Sequence, residues 1–126
     1  MAGPGNVDRE VIYPRYSNMI GTTAVYSEPR DVRAYSQAIL IAWQGTGLGS
    51  TPATVEFTVQ QSLDLENWVD IGSVSPDAGT EEALNVTFTF AWMRVKSVVT
   101  GSDPGVAAWL IGEFVRRDQA GGGEAA

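Results

Sequence analysis

Val55-Glu56-Phe57-Thr58-Val59-Gln60 alternates apolar and polar side chains one for one. Successive residues of an extended chain point to opposite faces, so Val55, Phe57 and Val59 share one face and Glu56, Thr58 and Gln60 the other. This is the pattern of a strand with one dry side. The chain continues through Gln61-Ser62-Leu63-Asp64-Leu65-Glu66-Asn67, rich in turn formers, into Trp68-Val69-Asp70-Ile71-Gly72. That second piece reads as the return strand of a hairpin.

Working outward, the same period recurs between short punctuators. A first strand is expected from Ile20 to Tyr26, stopped by Ser27-Glu28-Pro29-Arg30-Asp31, and a second from Tyr35 to Gln44. Leu84, Val86, Phe88 and Phe90 mark one face of a later strand, Ala91 to Thr100 another, and Val106 to Arg116 the last. With the hairpin this makes about seven strands and no helix. Strands of this length bury one face each by packing as two antiparallel sheets, so the expected fold is an all-β sandwich, jelly-roll or Ig-like, with a small β-barrel as the near alternative. The body covers residues 19–117. Residues 1–18 form an expected extended N-terminal arm, and the Gly/Ala-rich residues 118–126 an expected flexible tail.

Composition removes most kinds of chemistry. The 126 residues hold 8 basic and 15 acidic side chains, a net charge of −7, and no His or Cys. Nucleic acid and anionic membranes select clustered Lys and Arg, which this chain lacks, so neither is expected as a partner. Without Cys there are no disulfides, and without His every triad or zinc site built on imidazole is gone. The first residues contain no apolar run of the signal-peptide kind, and no stretch approaches the length that spans a bilayer. The expectation is a soluble protein made in a cytoplasm.

The remaining candidates are weak. Asp64, Glu66 and Asp70 around the hairpin turn, or Glu81-Glu82, could in principle pair as glycosidase acids, but turns attract Asp and Asn because they cap their own backbone. Oxygen ligands for calcium from Asp64, Glu66, Asn67 and Asp70 do not follow the spacing of an EF-hand loop. Lys96 is the only lysine and has no Ser-x-x-Lys pattern around it. Gly45-Thr46-Gly47-Leu48-Gly49 looks superficially like a phosphate-binding loop but lacks the Gly-Lys-Ser/Thr that completes one. No catalytic residue, cofactor or metal is expected.

Aromatic residues carry more. Trp43, Trp68, Trp92 and Trp109 all fall on expected strands, where most should be core. Trp92 is the exception, because Met93, Val95 and Val99 claim the core face and leave it beside Arg94 and Lys96. In the arm, Val11-Ile12-Tyr13-Pro14-Arg15-Tyr16 is apolar yet irregular, and Pro14 forbids a central strand. Those side chains require a surface, either on this subunit or on a neighbour.

The hairpin's Gln60-x-Ser62-x-Asp64…Trp68…Gly72 pattern, followed by Trp92-Met93-Arg94-Val95-Lys96, resembles the small β-sandwich virion proteins of tailed bacteriophages, of the capsid decoration or cement type. Some carbohydrate-binding sandwiches share the habit. The resemblance implies a non-enzymatic subunit of the virion, assembled in the host cytoplasm, that contacts the major capsid protein and its own copies; a trimer would fit capsid threefold axes. Val11, Ile12, Tyr13 and Tyr16 of the arm would then carry interface contacts, joined by Trp92 and Arg94. The rival readings are a carbohydrate- or receptor-binding module that uses Trp92 on a glycan, and a head-completion or tail protein.

Overall fold

The computed structural model describes residues 7–49, 51–102 and 104–117. Among them are nine strands: β1 (Val7–Ile20), β2 (Val25–Tyr26), β3 (Arg30–Asp31), β4 (Tyr35–Gln44), β5 (Thr51–Ser62), β6 (Val69–Val74), β7 (Glu81–Thr87), β8 (Trp92–Ser102) and β9 (Gly105–Arg116). The pairing is nested about the 63–67 turn: β5 with β6, β4 with β7, β2 and β3 with β8, and β1 with β9, all antiparallel. The chain is thus one long hairpin, rolled up so that successive nested pairs fall alternately in two sheets. Sheet one has the order β1-β9-β4-β7, and sheet two β2-β8-β5-β6 with β3 also on β8. This is jelly-roll topology. The sheets stay separate, so the barrel alternative is excluded.

The core lies between them. Ala38, Leu40 and Ala42 of β4 meet Val55, Phe57 and Val59 of β5, with Met93 and Val95 of β8 and Leu110 and Phe114 of β9, all of them at most 2% exposed. Gly112 points inward on β9; a Cβ there would lie 2.6 Å from the Phe114 ring and 2.8 Å from Leu40. Glycine at that position makes room for Phe114, which stacks on Phe88 at 5.9 Å. Two buried amides tie the layers. Gln44 Oε1 accepts the Val55 N–H at 2.9 Å, from sheet one to sheet two. Gln61 Oε1 accepts the N–H groups of Thr89 and Phe90, holding the bend that leads into β8.

Several expectations need correction. No strand runs from Ile20 to Tyr26: β1 ends at Ile20, and Val25–Tyr26 is a two-residue strand across the sheet corner. The strand expected to reach Phe90 stops at Thr87, because Phe88 turns into the core while its N–H bonds Ser36 O. Residues Val7 to Asn18, expected within an extended arm, form the edge strand of sheet one; residues 1–6 of that arm and the tail 118–126 lie outside the described residues.

Two bulges explain why β1 does not alternate. Val11 pairs with Ile111 and Tyr13 with Leu110, so Ile12 is the extra residue of the first, and Ile12 and Tyr13 both turn inward. Tyr13 then pairs with Leu110 and Ser17 with Ala108, leaving Pro14, Arg15 and Tyr16 opposite Trp109 alone. Tyr16 adopts a left-handed backbone, φ 61°.

Candidate functional site

Each sheet turns one face to the core and one outward, and the two outer faces are chemically unlike. On sheet one the outward residues of β4 and β9 are Ile39, Ile41 and Trp43, and Trp109, Ile111 and Glu113. One row crosses all four strands: Val11, Ile111, Ile41 and Ala83 are successive cross-strand partners. Val11 is 52% exposed. The next row is aromatic. Trp43 and Trp109 stack, Tyr16 meets Trp43 edge-on at 6.0 Å, and the Arg15 guanidinium lies 4.6 Å above the Trp109 ring. The bulge of β1 folds Arg15 and Tyr16 over the pair, so Trp109 is nearly buried although it points away from the core. On the far side of the apolar row, Arg9 bonds Glu113 at 3.0 Å.

Sheet two is polar. Trp92, Arg94 and Lys96 of β8 alternate with the buried Met93, Val95 and Ser97, as the sequence pattern requires. Trp92 is half-buried. Arg94 is flanked by Tyr26 and Trp68, and its Nε donates to Gln60 Oε1 at 2.8 Å.

The expected interface residues therefore divide. Val11 and Tyr16 lie together on the outer face of sheet one. Ile12 is buried, and Tyr13 packs on Phe57 at 5.7 Å while its hydroxyl donates to Val95 O, so both serve this subunit's own core. Burial pushes the Tyr13 phenol above its ordinary range. Trp92 and Arg94 sit on the opposite side of the sandwich. The expectation that most tryptophans are core is corrected: Phe57, Phe88 and Phe114 fill the centre, and the tryptophans furnish the outer faces. The ring partners of Arg94 went unseen because no spacing rule links positions 26, 68 and 94.

The acidic turn proves to be a cap. Asp64 accepts the N–H groups of Asn67 and Glu66 at 2.8 and 2.9 Å, with further bonds from the Asn67 amide and Ser62, which hold its carboxyl well below the usual range. Among the described residues, no three of His, Cys, Asp and Glu gather as a metal-binding group. The glycine loop is structural as well. Leu48 bridges to Gly105, and a Cβ on Gly47 would fall 2.0 Å from Ala53 O.

No family model matches this chain, and no curated protein does. Solved structures do. The fold is shared with XepA. That PBSX exported protein superposes with a TM-score of 0.67 at 15% identity, over 88% of this chain and 38% of its own. Two structures of infectious bursal disease virus, of the Gt and Gx strains, give TM-scores of 0.52 and 0.53 at 8% and 10% identity. Each is covered over 32% of its length, against 90% of this chain. The chain thus spans well under half of each of these structures, and at these identities the likeness is one of fold.

Proposed function

We propose that this chain is a structural protein of a virus particle, a capsid decoration or cement subunit that docks on the major capsid protein and on its own copies. The observation that carries the reading is the Val11–Ile111–Ile41–Ala83 row with the Tyr16–Trp43–Trp109 cluster beside it. Val11 and Tyr16 stand exposed at the edge of this partly covered face, and a subunit seated on a particle would bury them. The jelly roll, an architecture common in capsid and lectin domains, is in keeping with this role, and so is the likeness to a virus structure.

Val11 and Tyr16 contribute directly to the interface, and Ile41, Trp43 and Ile111 join them. Cosedimentation of the purified chain with particles that lack it is the test. Ile41→Lys and Ile111→Lys, both on the outer face and away from the core, should abolish occupancy and leave the thermal transition in place. Unchanged occupancy in both variants would overturn the proposal.

A further inference from the structure

The outer face of sheet two is organised around one arginine. Cζ of Arg94 lies 4.1 Å from the ring centre of Tyr26 and 4.2 Å from that of Trp68. Tyr26 comes from the short strand on one side of β8, and Trp68 reaches over β5 from the other. Gln60 is buried between them: its Nε2 donates to Asp70 Oδ1 at 2.8 Å, which turns its Oε1 toward Arg94 Nε, also at 2.8 Å. The two rings and the amide hold the guanidinium. Its Nη1 and Nη2 bond nothing among the described residues, and neither is buried, so both face solvent.

Four of the other six arginines set the contrast. Arg9, Arg30, Arg33 and Arg116 each bond a carboxylate directly, of Glu113, Glu10, Asp31 and Asp8. Arg94 is held one amide away from its nearest acid. Lys96, two residues further along the same face, takes part in no salt bridge among the described residues.

A free arginine loses side-chain entropy when it grips an anion, whereas one already stacked between rings has little left to lose. Its outward edge carries two parallel N–H donors, the fork that matches a carboxylate. The surroundings favour a sugar over a protein. Tyr26 offers a half-exposed ring beside the fork and Thr58 lies across from Lys96; further along the face come the Glu56–Val98 pair and then the Thr54 and Thr100 hydroxyls, which bond each other. No apolar row of the kind found on sheet one crosses this face. We infer that the Arg94–Lys96 face binds the carboxylate of an acidic saccharide, with Arg94 as the fork, Lys96 as the second cation and Tyr26 as the stacking surface.

The inference does not rest on the docking role of sheet one, and its test needs no particle. The full chain is titrated calorimetrically at low salt with oligogalacturonate, its methyl ester, acetate and poly-glutamate. Oligogalacturonate should bind and be displaced by added salt, and its ester should bind at least about tenfold more weakly. Arg94→Lys, which keeps the charge and loses the fork, should weaken binding by about tenfold, and Tyr26→Ala and Lys96→Gln severalfold. If Arg94→Lys fails to fold, Tyr26→Ala and Lys96→Gln carry the test. No binding of oligogalacturonate, equal binding of the ester, or undiminished binding by the variants overturns the inference. Acetate or poly-glutamate binding as tightly per carboxylate overturns the saccharide assignment, in favour of a simple anion or an acidic protein.

Discussion

Trp43 and Trp109 stack across the seam between β4 and β9, 6.3 Å between ring centres and 12° between planes, on the side of the sheet that faces away from the core. Their lid is the bulge of β1, and the lid is strained. A left-handed backbone at a residue other than glycine costs about 1–3 kcal/mol, and it persists where the surroundings enforce it. At Tyr16 the edge-on contact with Trp43 and the hydrogen bond from Ser17 Oγ to Pro14 O do so.

Opening that lid should be visible in fluorescence. Tyr16→Gly relieves the strained φ and loses the ring contact, two effects of similar size, so its unfolding free energy should stay within about 1 kcal/mol of the parent. Combined with Arg15→Ala it uncovers Trp109. Acrylamide quenching should rise and the emission shift to the red; an unchanged spectrum would mean that Trp109 is covered by something else.

Gln44 is a buried amide with a buried partner. Gln44→Leu fills the space and leaves the Val55 N–H without an acceptor, a loss of about 1–3 kcal/mol. Urea unfolding should show the midpoint fall with the slope preserved.

Gly112 and Gly105 form a matched pair for the same method. Gly112→Ala places a methyl group against Phe114 and Leu40 and should cost about 1–3 kcal/mol. At Gly105 nothing lies within 4 Å of an added Cβ, so Gly105→Ala should be nearly neutral.

Acid should loosen the hairpin tip. The Asp64 carboxyl is held below its unfolded value, first by the Asn67 and Glu66 N–H groups, so its stabilising effect is complete above the ordinary carboxylate range near 4 and drains away as pH falls below it. Asp31, lowered to about 2 by Arg33, acts in the same direction. Melting temperatures taken between pH 7 and 2 should fall more steeply for the parent than for Asp64→Asn. Parallel curves would assign the acid response to other groups.

Local pattern was enough wherever a strand packs regularly. Tyr35–Gln44 keeps its expected bounds, and the 55–72 hairpin forms with one register shift between Val59 and Gln60, because one face meets the core and the other does not. The pattern fails in β1, where two bulges reset which side chains point inward, and at β2 and β3, too short to show a period. Contacts between distant positions left no local trace at all. The Tyr13 hydroxyl meets Val95 O across 82 positions, and Arg9 meets Glu113 across 104. For the same reason the residue types at both outer faces were legible, while the rows and stacks they form were not.

The broken course of β1 has a further effect, on growth. It is the last strand of sheet one, and its open edge has no straight run longer than a few residues: Pro14 offers no N–H, and the register jumps on both sides of Tyr13. A strand from another copy laid along it would find matching donors and acceptors only in short stretches, so ribbons that lengthen without limit are discouraged. In the proposed role, contact between copies would fall to the broad faces of the sandwich instead.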